Sequence, residues 1–200
     1  MKTLLQINSG IFSAHSQSTA LADNFAQKWS QTNNNSQVVV RDLINNPVEH
    51  LDAEIVMAFA ADAKERTDEQ ANIVAKSDAL IAEIEAADAI VVGVPMYNFS
   101  IPSQLKAYFD QLARAGVTFH YTETGPQGLL KDKPVYVLAA RGGIHKDQPS
   151  DSQTNLVKTF FGFIGLHNVQ FIYAEGLNMG DEAKENALLA AQDQFESALA

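Results

Sequence analysis

The chain has 200 residues, of which 46% are hydrophobic and 19% charged, and its formal net charge is −10 at pH 7. A chain of this length and composition is expected to fold as one globular domain, over residues 1–200. The acidic balance disfavours nucleic acid and anionic membrane surfaces as partners, because like charges repel. The sequence has no cysteine, which excludes disulfides, thiolate metal sites and cysteine nucleophiles.

The sequence carries no targeting or membrane signal. Residues 1–8 are apolar over too short a stretch for a secretory signal, and no small-residue cleavage site follows them. A membrane-spanning helix needs about 18 or more consecutive apolar residues, and the sequence has no such run. We therefore expect a cytoplasmic protein.

The first half of the chain predicts strands that alternate with helices. Residues 4–7 form a short apolar run that ends in a Ser-Gly turn, which is typical of a buried strand. A helix is predicted from Ser16, and a second strand over residues 38–40. Residues 51–66 are ambiguous, with a short helix and a charged surface loop as one interpretation. Residues 67–70 have the spacing of a capping box, which predicts the start of a long helix.

The second half continues the alternation. Residues 89–95 give the clearest strand, and because no charge interrupts it we expect it to be buried on both faces. The other predicted elements are a helix from Pro102, a hairpin over 118–130 with a turn marked by Gly125, Pro126 and Gly128, a strand over 135–140, a helix over 156–164, a strand over 169–173 and a helix over 181–199.

Five strands alternating with five helices predict an α/β fold, a doubly wound parallel sheet of five strands with helices on both faces. In such sheets, ligands bind beyond the carboxyl ends of the strands, where the strand order reverses. The loops after the first, third and fourth strands therefore hold the candidate functional residues.

The loop after the first strand is rich in hydroxyl groups and leads into a helix. Its candidate residues are Ser9, Gly10, Ser16, Gln17 and Ser18. First-turn N–H groups have no partner within a helix, and the helix dipole favours an anion, so this turn suits a monophosphate. The loop lacks the glycine spacing of a dinucleotide fingerprint and the lysine of a P-loop. Alternatively, Ser16 or Ser18 only caps the helix, and the residues alone do not decide between the two interpretations.

The loop after the third strand combines apolar side chains with a single amide. Met96, Tyr97 and Phe99 would form an apolar shelf, and Asn98 adds a hydrogen-bonding group. A flat, partly polar ring system suits such a surface. The alternative is a loop in which Phe99 is anchored in the core.

The loop after the fourth strand contains a glycine pair, Gly142 and Gly143, which allows the backbone to approach a ligand closely. Arg141 and His145 would stabilise negative charge that develops on a reduced ring. A single glycine pair or histidine is weak on its own, and the five histidines show no metal-ligand spacing, so no metal is predicted. One loop that suits a monophosphate and two that suit a planar ring together indicate FMN.

At these residues the sequence resembles the bacterial FMN-dependent NADH azoreductases, which are also NADH:quinone oxidoreductases. The similarity runs nearly end to end and includes residues 16–18, 41–43, 95–99, 104–106, 109–110, 113–119, 121–123, 141–145 and 161–165. The resemblance implies a flavodoxin-like fold with strand order 2-1-3-4-5. It also implies a homodimer with two equivalent sites at the subunit interface, and one non-covalent FMN per subunit.

The resemblance also implies roles for individual residues. Ser9, Ser16, Gln17 and Ser18 would hold the phosphate and ribityl end of FMN. The residues that would surround the isoalloxazine ring are Met96, Tyr97, Asn98, Phe99, Ala140, Arg141, Gly142, Gly143 and His145. Tyr121 and, from the partner subunit, Phe163 would cover the substrate face. Gly10 and Ala140 depart from the family, where serine is common at both positions, and each lost hydrogen bond would weaken binding by about 1 kcal/mol.

The activity that the resemblance implies is hydride transfer from NADH through FMN to quinones, in two-electron steps, and reductive cleavage of azo compounds. One cavity used by both substrates in turn predicts ping-pong kinetics. No arginine-rich pocket for a 2′-phosphate is evident, which favours NADH over NADPH. Two other classes stay open, namely a flavodoxin-type electron carrier without its own substrate pocket, and a flavin-free regulatory or interaction domain on the same scaffold.

Overall fold

A computed structural model describes residues 1–199 of the chain. Over this range the strands are β1 (Lys2–Asn8), β2 (Ser36–Asp42), β3 (Ala89–Pro95), β4 (Phe119–Thr122), β5 (Gly125–Gly128), β6 (Val135–Ala140) and β7 (Val169–Ala174). Five of them form a parallel sheet in the order β2-β1-β3-β6-β7. Because β4 and β5 pair only with each other, this order is the expected 2-1-3-4-5 of the strands that belong to the sheet.

Helices cover both faces of the sheet. Within residues 1–199 they are α1 (Gln17–Thr32), α2 (Ala53–Ala60), α3 (Asp68–Ala86), α4 (Ser103–Leu112), α5 (Ser152–Phe163) and α6 (Asp181–Leu199). One core cluster joins the sheet to α1 and α6, and a second joins it to α3, α4 and α5. In this part of the chain, no helix is both long and apolar enough to cross a bilayer.

Strand β3 separates the two core clusters. All seven of its residues are buried, as the sequence predicts. Successive side chains of a strand point to opposite faces. Accordingly, Val91 packs with Phe25 and Phe195 on the α1 and α6 face, whereas Ile90 packs with Phe109 on the α3, α4 and α5 face.

The ambiguous segment 51–66 contains the short helix α2, followed by a non-helical connection to α3. The capping box at the start of α3 is confirmed. Thr67 Oγ1 accepts a hydrogen bond from the backbone N–H of Gln70, and Gln70 Oε1 accepts one from the N–H of Thr67.

The largest differences from the predicted boundaries lie in the hairpin and at the start of α5. The hairpin turn lies at residues 123–124, and the glycines expected to mark it lie in β5 instead. Helix α5 begins at Ser152, four residues before the apolar pattern starts, because Asp151 caps it by accepting a hydrogen bond from Thr154 N at 3.0 Å. The first turn of α5 is polar, so hydrophobic periodicity could not detect it.

Gly93 of β3 is the point where α1 lies directly on the sheet. A Cβ atom at this position would be 2.7 Å from the carbonyl oxygen of Ser18 in α1, and backbone atoms cannot move aside cheaply.

We expect Gly93→Ala to lower the free energy of unfolding, measured by urea titration, by about 2 kcal/mol. As a control, Gly162→Ala in α5 should be neutral or stabilising by up to about 1 kcal/mol, since its Cβ would meet only His167, at 3.7 Å. Equal stability of both variants would contradict the close approach.

Candidate functional site

The three predicted loops border one cavity of about 270 Å³ at the carboxyl edge of the sheet. The predicted residues that line it are Ser16, Gln17, Ser18, Met96, Tyr97, Ala140, Arg141 and Gly142. They come from the loops after β1, β3 and β6, from the first turn of α1 and from the last residue of β6. The chain passes from β1 to β2 on one side and to β3 on the other, so strand order reverses at β1. The cavity therefore lies where parallel α/β sheets bind ligands.

A fourth loop, after β7, also borders the cavity and was not anticipated from the sequence. Leu177 N donates to Arg141 O at 3.1 Å, and Asn178 N donates to Gly142 O at 3.0 Å. These backbone hydrogen bonds join the fourth loop to the loop after β6 (residues 141–145), called here the glycine loop. The lining residues missed by sequence reasoning are Phe12, His15, Pro95, Leu177 and Asn178. Sequence reasoning had one signal for Leu177 and Asn178: their loop directly follows a strand of the same sheet.

The N-terminus of α1 has the properties of an anion site. Ser16 occupies the N-cap position, but its Oγ accepts from Phe12 N at 3.1 Å and caps no helical N–H group. The first hydrogen bond of the helix runs from Ala20 N to Ser16 O, so the N–H groups of residues 17–19 have no acceptor within the helix. The hydroxyl of Ser18 is buried without a partner among residues 1–199. A buried orphan hydroxyl is costly, which favours the phosphate interpretation over simple capping.

Ser9 and Gly10 lie beside the cavity but do not line it. The Ser9 hydroxyl is fully buried and donates to Gly93 O at 2.7 Å, so its proton is committed to the sheet and not to a ligand. A Cβ atom at Gly10 would lie 2.4 Å from the Cβ of Ser16. Ser16 therefore fills the space that a side chain at position 10 would need.

The loop after β3 turns sharply at two residues with left-handed backbone. Asn98 has φ of 49° and Phe99 has φ of 65°, and Tyr97 and Ser100 close the turn with two backbone hydrogen bonds of 3.0 Å. A bulky residue in this conformation stores strain of order 1 kcal/mol or more, a feature that clusters at functional sites. The Phe99 side chain is 59% exposed, so the alternative in which it anchors the loop in the core is wrong.

The Arg141 side chain points away from the cavity and is fully buried. Its Nη2 lies 2.9 Å from an oxygen of Asp151, its Nη1 lies 3.1 Å from Glu175, and its Nε donates to Gln153 Oε1 at 3.1 Å. The prediction that this guanidinium stabilises charge on a ring is therefore wrong for the side chain. Arg141 borders the cavity, but its charged group is paired with Asp151 and Glu175 in the protein interior.

His145 lies at the rim, in a loop held by an acidic side chain. Glu175 Oε1 accepts from the backbone N–H groups of His145 at 2.8 Å and of Lys146 at 2.9 Å. The His145 Nδ1 lies 2.9 Å from Ser150 Oγ, and its ring meets that of Phe99 edge-on at 5.8 Å. A Cβ atom on Gly143 would be 2.9 Å from His145 Nε2. The imidazole thus lies next to the glycine loop, beside the cavity.

Tyr121 and Phe163 form a separate aromatic cluster with Phe119 and do not line the cavity of their own chain. The Phe119 ring centroid lies 4.2 Å from that of Phe163 and 5.5 Å from that of Tyr121. Tyr121 is 75% exposed. Within one chain, these two residues and the cavity are therefore distinct features.

Other parts of the surface are weaker candidates. A cavity of about 400 Å³ lies between α3 and the segment after β2, but its cations are paired, Arg41 with Glu83 and Lys76 with Glu49. Within residues 1–199, no three His, Asp or Glu side chains are grouped so that they could hold a metal ion.

The buried ion pair generates a testable pH dependence. Burial alone would raise the pKa of Asp151, but hydrogen bonds from Arg141 and Thr154 outweigh it and lower that pKa below its ordinary 3.8. A depressed carboxylate pKa stabilises the fold at higher pH, and this contribution is lost as the pH falls through the folded-state pKa.

We expect Asp151→Asn to reduce the free energy of unfolding at neutral pH by about 2–3 kcal/mol, because Glu175 remains to balance Arg141. The gap between variant and wild type should narrow as the pH falls from 3.8 through the lower folded-state pKa, since the unfolded chain then takes up a proton on Asp151 before the folded protein does. The control Asp193→Asn, at an exposed position of α6, should change stability by less than about 0.5 kcal/mol. A gap that stays constant with pH in urea titrations would contradict the ion pair.

Comparison with known proteins identifies the family. The profile described as flavodoxin-like fold matches residues 1–199. The chain is 56% identical over 200 residues to an FMN-dependent NADH:quinone oxidoreductase of Cellvibrio japonicus (strain Ueda107), covering 100% of both chains. An azoreductase of Bacillus anthracis str. Sterne has a similar structure, with a TM-score of 0.90, 29% identity and coverage of 100% and 99%. An FMN-dependent NADH-azoreductase of Bacillus anthracis str. Ames Ancestor, solved in complex with FMN, gives a TM-score of 0.86 at 27% identity, with coverage of 98% and 99%. The chain belongs to the flavodoxin-like family of FMN-dependent NADH:quinone oxidoreductases and NADH azoreductases.

Proposed function

We propose that this chain is an FMN-dependent oxidoreductase that passes electrons from NADH to quinones and reductively cleaves azo compounds. The observation that carries the proposal is that three features border one cavity. They are the N-terminus of α1 with the unpaired Ser18 hydroxyl, the loop after β6 with its glycine pair, and the turn after β3 at residues 97–100, called here the aromatic turn. The named activities of the relatives support this function over that of an electron carrier without its own substrate pocket.

The residues present fit FMN. The partnerless Ser18 hydroxyl and the N–H groups of residues 17–19 suit its phosphate, because they supply donors and the positive end of a helix dipole. Gly142 lines the cavity with backbone that carries no side chain where the ring would lie, and Gly143 and His145 adjoin it in the same loop. Bound FMN supplies hydride transfer and two-electron chemistry, and the protein supplies binding, orientation and electrostatics.

An exposed apolar rim suits planar substrates. Phe12, Phe99 and Ile144 are each more than half exposed and come from the three loops that border or adjoin the cavity. Flat rings such as nicotinamide and quinones would stack against such side chains and exclude water from the reacting face. One shared slot requires that the first product leaves before the acceptor enters.

We also propose a cytoplasmic homodimer of single-domain chains. Tyr121 and Phe163 of one chain both pack against Phe119 and do not line the cavity of that chain, so a place for either on the substrate face requires a second copy. Val56 and Met57 of α2 leave further apolar surface exposed, which such an assembly would cover. Without cysteine, the fold does not depend on disulfides and so does not need an oxidising compartment.

The function is tested by the visible spectrum of the purified protein and by steady-state kinetics with NADH and menadione. We expect a bound flavin spectrum, rapid menadione reduction by the protein alone and parallel double-reciprocal lines, because one slot serves both substrates. Methyl red should be cleaved with consumption of two NADH per azo bond, which takes four electrons. A colourless protein that ignores added FMN would refute the proposal, and intersecting lines would refute the shared slot.

Ser18→Ala and Ser9→Ala should act in opposite ways. Removing the orphan Ser18 hydroxyl should weaken FMN binding about tenfold while leaving the FMN-free protein as stable as before or more so. Removing the Ser9 hydroxyl leaves Gly93 O without its partner, so stability should fall by about 1 kcal/mol with little change in FMN affinity. The measurements are flavin fluorescence titration and urea unfolding of the FMN-free protein. Unchanged FMN affinity in Ser18→Ala would remove this hydroxyl from the phosphate site.

A further inference from the structure

Strands β3 and β6 separate at the cavity, and the fork between them must be held at a fixed width. The two strands pair as far as Pro95 and Ala140, and Met96 N makes a last hydrogen bond to Ala140 O at 3.0 Å. Beyond this point the segment after β3 enters the aromatic turn, and the segment after β6 enters the glycine loop. Backbone hydrogen bonds between the two strands no longer link these segments, although both segments contribute to the same cavity.

The side chain of Gln153 occupies this fork. It projects from the first turn of α5, is 1% exposed, and uses both ends of its amide group. Its Nε2 donates to Pro95 O at 2.9 Å, and its Oε1 accepts from Arg141 Nε at 3.1 Å. Because an amide has one donor end and one acceptor end, this orientation is the one that satisfies both partners.

The neighbours of Gln153 support the same connection. The hydroxyl of Ser152 donates to Phe99 O in the aromatic turn. On the other side, Asp151 and Thr154 both accept hydrogen bonds from the Arg141 guanidinium. The first turn of α5 therefore holds the loop after β3 with some residues and the start of the loop after β6 with others.

We propose that Gln153 is a positioning residue that sets the separation of the two ring-binding loops and thereby the affinity for FMN. Without it, a buried carbonyl and a buried guanidinium N–H both lose their partner, and the fork would widen or admit water. This inference rests on the proposed function, since it assigns the two loops to the flavin ring. It concerns a residue that does not itself line the cavity.

Two substitutions test it. Gln153→Met has a similar length and removes both hydrogen bonds, and we expect FMN affinity to fall about tenfold. Gln153→Glu keeps an acceptor for Arg141 but has no donor for Pro95 O, so it isolates the contact to the loop after β3 and should also weaken FMN binding several-fold. If Gln153→Met does not fold, the isosteric Gln153→Glu decides. The readouts are the FMN dissociation constant, from fluorescence quenching, and the visible circular dichroism of bound flavin.

Two controls separate positioning from general stability and charge. Val157→Ala, in the same helix and fully buried in the core, should lower the melting temperature but leave FMN affinity and flavin dichroism unchanged. Gln194→Glu adds the same charge at an exposed position of α6 and should change neither. Gln153 variants that lose stability yet bind FMN like wild type, with the same dichroism, would overturn the inference alone. A wild-type protein that binds no FMN would overturn the proposed function and the inference with it.

Discussion

The burial of one guanidinium, that of Arg141, is the interaction on which the arrangement of the site depends. An ion fully removed from water costs several kcal/mol unless opposite charges and hydrogen bonds compensate it. Asp151 and Glu175 provide the charges, and Gln153 and Thr154 complete the hydrogen bonds. These partners come from the first turn of α5 and its cap, and from the loop after β7, so satisfying one charge fixes three segments relative to one another. The same Glu175 carboxylate also holds the backbone beside His145.

Local electrostatics at the cavity differ from those of the whole molecule. The net charge of −10 would repel a phosphate, yet the N-terminus of α1 has no acidic residue in its first turn and presents unpaired N–H groups. Such dipoles act within about one turn of the helix, whereas distant surface charges are screened by salt. A phosphate group can therefore bind to an acidic protein without a cationic side chain. The close contact of α1 with Gly93 places this helix end against the cavity.

Stability and ligand binding make opposite demands on the loops. The left-handed backbone at Asn98 and Phe99 and the partnerless hydroxyl of Ser18 each cost the fold free energy when no ligand is present. The turn that strains Phe99 also presents its ring to solvent, where a planar ligand could stack on it. The hydrogen bond from Ser152 to the carbonyl of Phe99 holds this turn in place. The free energy that the strained turn and the unpaired hydroxyl cost the fold is thus offset by the buried hydrogen bonds and ion pairs around Arg141.

The sequence by itself determined the order of the elements, because buried strands, amphipathic helices and the capping box at Thr67 are local patterns of apolar and polar residues. It also predicted that the loops after β1, β3 and β6 meet, since parallel strands end at one edge of a sheet, but not that the loop after β7 joins them. Only the tertiary structure decided where side chains at the strand ends point. Ser9 bonds to the sheet while the hydroxyl of Ser18, a residue that lines the cavity, has no partner among residues 1–199, and Arg141 turns inward to acids that lie up to 34 residues further along the chain. Hydrogen bonds between distant segments leave no periodic trace in a sequence, which is why the network around Gln153 became visible only in the folded chain.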